Sequence, residues 1–179
     1  MKLKTHDIFN TGVLTLAGTL FAAPIYSFLS AMLISAPANR IIDLYGHEKN
    51  GFGMPVRTYR THSPVRALFW GFVPALILFT AVYYIKKGYY PIFPMPYFIL
   101  IQGLLSGELH LLLDLPTEGG IFINKKRVAL EHFAYNNPLI NLAGVLAGFI
   151  LIYLAFTGVN YEKDFYSVRY LFNSFRRFI

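Results

Sequence analysis

The sequence contains no cysteine, so disulfide frameworks and thiolate metal ligation are closed to it, and any metal must be held by His, Asp or Glu. Charge is scarce as well. Asp, Glu, Lys and Arg make up 14% of the chain, against about 25% in a soluble globular protein. Also missing are a Gly-rich phosphate loop, a GxSxG elbow, low-complexity tracts and repeats with a period of 20–50 residues. Inverted repeats, which would point to a transporter, are not found either.

What remains is apolar. Hydrophobic residues form 55% of the 179 positions, a length suited to one domain. The formal charge of +7 comes mainly from Lys and Arg lying between apolar segments. That placement suits lipid headgroups and topology rather than nucleic acid. Lys2 and Lys4 precede an apolar stretch, but His6, Asp7 and Asn10 interrupt its start, so residue 1 is expected to be retained rather than lost with a signal peptide.

Three segments read directly as membrane helices: about 67–85, about 93–115 and about 138–157, each near the ~20 residues a bilayer requires. Ser63-Pro64 and Asn137-Pro138 supply start signals, an N-cap followed by Pro at the first helical position. Residues 8–42 are too long for one span and contain Pro24. A continuous helix would separate His6 from Asp43 by roughly 55 Å at 1.5 Å per residue, whereas a hairpin of about 7–22 and 24–43 returns them to one side. The hairpin also brings all five histidines and the larger share of Lys and Arg to one face, expected to be cytoplasmic. The expected fold is an all-α polytopic membrane protein with five spans over 1–158. An amphipathic interfacial helix follows over 159–179, where Tyr161, Phe165, Val168, Phe172, Phe175 and Ile179 recur at spacings of three and four. Tyr83, Tyr84, Tyr89, Tyr90 and Tyr97 read as an interfacial belt.

Ionisable groups inside apolar runs mark function, because a charge in lipid costs at least ~2.5–3.5 kcal/mol. In GELHLLLDLPTEGG, residues 107–120, His110 and Asp114 are four apart and share one helix face. Glu108 points elsewhere and needs a partner of its own, expected from an arginine within 57–66. Asp43 and His47 repeat the spacing of four, His62 lies in RTHSP, and His6 lies in THD at 5–7. Together these residues offer imidazoles and carboxylates for one or two divalent ions of the zinc, manganese or iron type. Arg57 and Arg60 are placed to hold an anionic group by paired hydrogen bonds. His132 reads as a loop histidine.

Four blocks, THD, IIDLYGH, RTHS and GELHLLLDLPTEGG, continued by KKRVALEHFAYNNPLIN, resemble in order and spacing the membrane-bound, metal-dependent hydrolases (YdjM-like), and more closely an archaeal branch of them. The resemblance reaches about residue 145 and implies a polytopic helical protein with a metal site. It departs from the bacterial pattern at two points. A single Asp43 with His47 stands for Asp-x-Asp-His, and Arg57 occupies a position where that pattern has His. The expected assignment makes Asp43, His62, His110 and Asp114 metal ligands, His6 and His47 acid/base groups, and Arg57 and Arg60 substrate contacts. The substrate would be a phosphoester or other ester, with membrane lipid as the partner. The alternative is a non-catalytic integral-membrane accessory or scaffold subunit of a larger complex, its polar cluster a hydrogen-bonded network between helices.

Overall fold

The computed structural model of the chain describes residues 1–49, 51–53, 55–86 and 97–158. Five α-helices carry the fold: α1 (Leu3–Gly18), α2 (Pro24–Gly46), α3 (Pro64–Lys86), α4 (Phe98–Asp114) and α5 (Pro138–Thr157). Each coincides with an expected segment, and α1 and α2 turn on each other just before Pro24, which sits at the first helical position of α2. Asn137 caps α5 as expected, its side chain accepting from the backbone N–H groups of Leu139 and Ile140. Ser63 does not cap α3. Its hydroxyl donates to the Tyr59 carbonyl at 3.2 Å instead.

Of the five expected crossings, three, α2, α3 and α5, have the length and composition of a span, while α1 has 16 residues and α4 has 17. At 1.5 Å per residue these two reach only about 24–26 Å, short of a ~30 Å hydrocarbon core. The amphipathic tail at 159–179 and Tyr89 and Tyr90 lie outside the described residues.

Polarity runs inside out compared with a water-soluble bundle. The outward faces carry exposed Leu139, Leu142, Leu146, Phe149, Ile150 and Tyr153 on α5 alone. The interior holds Thr15, Ser35, Asn10, Asn39, Gln102 and Ser106, each at most 2% exposed. Outer faces of this kind suit lipid tails, among which helices associate through close packing and interhelical hydrogen bonds. Small residues make that packing possible. Gly12 and Gly148 bring α1 onto α5 so closely that a Cβ at Gly12 would strike the Gly148 carbonyl, and Gly107 of α4 lies against the Ala67 carbonyl of α3 in the same way.

Two short antiparallel hairpins, too brief to leave a period-two pattern in the sequence, cover one end of the bundle. β1 (His47–Lys49) pairs with β2 (Pro55–Arg57), His47 opposite Arg57. β3 (Ile121–Ile123) pairs with β4 (Lys126–Val128), and its turn places Asn124 and Lys125 at positive φ. The Phe122 N–H donates to the His62 carbonyl at 2.7 Å, tying the second hairpin to the loop before α3.

Candidate metal centre

Asp114, fully buried at the end of α4, is the hub. Its two oxygens meet different environments. Oδ1 accepts from the Met1 amino group at 2.6 Å and from Arg57 Nη2 at 2.7 Å, and His6 Nε2 lies 3.2 Å away. Oδ2 has no hydrogen-bond donor among the described residues. It faces His110 Nε2 at 3.2 Å and His62 Nε2 at 3.6 Å. Asp43 Oδ1, from the last turns of α2, faces the same two nitrogens at 3.5 Å and 3.7 Å.

Neighbouring side chains determine which nitrogen of each ring carries the proton. Thr61 donates its one hydroxyl hydrogen to the Ile42 carbonyl at 2.7 Å, so its contact with His62 Nδ1 at 2.9 Å must be Nδ1–H donating to Oγ1. Asn39 Nδ2 donates to Asp7 Oδ1 at 2.8 Å, which orients the amide. Asn39 Oδ1 therefore accepts from His110 Nδ1–H at 3.1 Å and from Asn10 Nδ2 at 3.0 Å. In the neutral rings both Nε2 atoms present lone pairs, and both are buried without a donor. Burial pushes the His62 imidazole down to about 4, so at neutral pH it carries no charge. Burial likewise lowers the Met1 amino group below its ordinary value, against the pull of Asp114.

With both rings neutral, two imidazole lone pairs and two carboxylate oxygens converge on one point. A tetrahedral site with bonds of ~2.0–2.1 Å has ligand–ligand edges of about 3.3–3.4 Å. Four of the six edges, the His–Asp cross-distances of 3.2 to 3.7 Å, bracket that value, and the donor types suit a divalent ion of the zinc, manganese or iron type. Grouped by ligand atoms within 4.8 Å of one another, the candidates fall into two adjoining sets, His6 with His110 and Asp114, and Asp43 with His47 and His62.

His6, Asp43, His62, His110 and Asp114, drawn from four separate blocks of sequence, are brought together. His6 stacks on His110 with ring centroids 4.1 Å apart and is 1% exposed, which puts it behind Asp114. His47 stands at the entrance, its Nδ1–H donating to the Asp43 carbonyl at 2.7 Å. Asp43, His47 and Arg57 line a cleft of ≈ 660 Å³, through which the buried cluster meets the outside.

Other expectations are revised by the geometry. Arg60 is 64% exposed and pairs with Glu48 at 2.9 Å, outside the cleft lining. Among the described residues no arginine meets Glu108, and its Oε1 is buried without a partner there. His132 is exposed at positive φ. α2 ends at Gly46 with His47 already in β1, and a Cβ at Gly46 would strike Thr61 Oγ1 and the His62 ring. The orienting residues Thr61, Asn39 and Thr117 were not singled out from the sequence. The signal for Asn39 was its place four residues before Asp43, and for Thr61 its place beside His62.

Fold and site define a helical protein with membrane-type helices and a buried His/Asp cluster opening on a cleft at one end. The chain belongs to the family described as "Protein of unknown function (DUF1286)", whose family model matches residues 1–113. The matched stretch includes His6, Asp43, Arg57, His62 and His110 and stops one residue before Asp114. No curated protein and no solved structure matches the chain.

Proposed function

We propose that the protein is a membrane-embedded, metal-dependent hydrolase acting on a phosphoester or other ester at the membrane surface, its site on the cytoplasmic side. One observation carries this reading. The Nε2 lone pairs of His62 and His110, fixed by Thr61 and Asn39, point at two carboxylate oxygens with no donor between them. Lone pairs held 3.2 to 3.7 Å from carboxylates repel unless a cation or a proton lies among them. A divalent ion bound there supplies Lewis-acid charge to polarise a phosphoryl or carbonyl oxygen.

The protein's own side chains have distinct tasks. Asp43 and Asp114 provide negative charge, and Arg57 together with the Met1 amino group holds Asp114 Oδ1, turning Oδ2 toward the histidines. His6 orients Asp114 from behind and is a positioning residue. His47, whose Nδ1–H donates to the Asp43 carbonyl, offers Nε2 at the cleft as the base that takes a proton from the attacking water during ester cleavage. This reading counts α1 and α4 as short spans beside the three longer ones, which completes five embedded helices around the polar interior.

A second reading has its own observation. Asp114 Oδ1 already has two cationic partners, so a proton shared between His110 and the carboxylates would close the network, and the protein would be an accessory or scaffold subunit of a larger complex. Metal analysis of the purified full chain separates the two. The hydrolase reading expects about one equivalent of divalent metal, lost in His110→Ala and in His62→Ala. Metal-free protein, both as isolated and after incubation with zinc, manganese or iron(II), leaves the network reading.

A further inference from the structure

Arg57 was expected to meet the substrate, but its guanidinium is committed. Nη2 bonds Asp114 at 2.7 Å, and Nη1 donates to Thr117 Oγ1 at 3.0 Å and the Gly120 carbonyl at 3.3 Å. It lies flat against Gly119, where a Cβ would come within 2.5 Å of Nη1. Arg60 is engaged with Glu48. The cleft nevertheless contains one more cation. Arg127, on β4, lines the wall, is exposed, and has neither hydrogen bond nor ion pair among the described residues.

Around Arg127 the wall is amphipathic. Pro55, Val56 and Tyr135 give it apolar surface, with Val56 47% and Tyr135 55% exposed. The remaining carboxylate on that wall, Glu118, is turned toward the loop, its Oε1 accepting from the Tyr135 N–H at 3.5 Å. An Arg fork binds either a carboxylate or a phosphate. A carboxylate spends both oxygens on one fork, whereas a phosphate ester keeps further oxygens free for other residues of the cleft. An otherwise unengaged arginine lining the same cleft as Asp43 and His47 suits an anion with oxygens to spare.

We propose that the cleft binds the phosphate group of a phosphoester, with Arg127 as its specificity-determining contact. The inference rests on the hydrolase reading for its second contact, the cluster, while Arg127 belongs to the cleft alone. The phosphoester is either a lipid headgroup or a soluble compound.

Isothermal titration calorimetry on the full chain in phosphatidylcholine nanodiscs, at fixed ionic strength, tests this with two probes, inorganic phosphate and dihexanoyl phosphatidic acid. Arg127→Gln is expected to weaken both by about tenfold or more, the loss of a charge-assisted hydrogen-bond pair, and Arg127→Lys to recover part of that. Arg60→Gln should bind like the unmodified chain. The proposal is overturned if neither probe binds, if Arg127→Gln binds as tightly as the unmodified chain, or if Arg60→Gln weakens binding equally, which would mark diffuse surface charge. Tighter binding of the phosphatidic acid than of phosphate assigns a lipid headgroup, and equal binding assigns a soluble phosphoester. Repeating the titration with chelator present separates this inference from the hydrolase reading. Arg127-dependent binding in a chain that takes up no metal keeps the anion site and removes the hydrolase. Arg127-independent binding in a metal-loaded chain does the reverse.

Discussion

Thr61 and Asn39 contribute no ligand atom, yet each decides what its histidine offers. Thr61 takes the Nδ1 proton of His62, and Asn39 that of His110, which leaves Nε2 of both rings aimed at Asp43 and Asp114. Partners of this kind are worth about 10–100-fold in metal affinity. Thr61→Val and Asn39→Leu are therefore expected to lower affinity by that range while the helical signal persists, measured by competition with a chromophoric chelator. Unchanged affinity in both would show that the tautomers are fixed some other way. Gly46→Ala acts on the same geometry by volume. The added methyl meets Thr61 Oγ1 and the His62 ring, and overpacking of this sort costs ~1–3 kcal/mol, so thermal unfolding should shift down and metal uptake fall with it.

At the scale of elements, each helix brings a different part of the site. α4 carries His110 and Asp114 on one stripe, which continues inward at intervals of four through Ser106 and Gln102. α2 carries Asn39 and Asp43, also four apart, and α1 delivers His6 and the Met1 amino group. The interior stripe is kept in register by cross-helix bonds, Gln102 Nε2 to the Leu14 carbonyl at 3.0 Å and Asn10 Nδ2 to the Ser106 carbonyl at 3.1 Å. α1 reaches this position only because Gly12 and Gly148 permit backbone contact with α5. Gly148→Leu, some 30 residues in sequence from any cluster residue, is expected to push α1 outward. It should destabilise the bundle by ~1–3 kcal/mol and weaken metal binding too. Loss of stability with metal affinity intact would mean that α1 is dispensable to the cluster.

For the whole molecule, the hairpin at Pro24 sets the topology. Because His6 and Asp43 both reach the cluster, residue 1 and the β1–β2 hairpin end on the same side. Single cysteines at Lys2→Cys and at Gly51→Cys, both exposed, should be labelled by an impermeant thiol reagent from the same side of the membrane, and a split result would restore a single long N-terminal span. A metal bound as proposed would tie the middle of the chain together, since its four ligands come from α2, the loop before α3, and α4. Chelation should lower the melting temperature by mass action, and His110→Ala should abolish that dependence on chelator.

The sequence by itself determined the helical class, the position of the five described helices within a few residues, and five of the residues that cluster, because long apolar runs have few stable alternatives in lipid and ionisable groups inside them stand out. It also made the short N-terminal hairpin legible, through the length of the run and Pro24. It left three things open that only tertiary structure decided. Spacing along α4 pairs His110 with Asp114, but which oxygen of Asp114 stays bare depends on Met1, His6 and Arg57 approaching from elsewhere in the chain. Composition marks Arg57, Arg60 and Arg127 as equal cations. The fold engages the first with Asp114, the second with Glu48, and leaves the third facing the cleft. Glu108 looked as notable as its neighbours, yet packing gave its Oε1 no partner. Periodicity reports which face of an element a residue occupies, whereas hydrogen-bond direction and charge pairing depend on groups far apart in sequence, and only the folded chain brings those together.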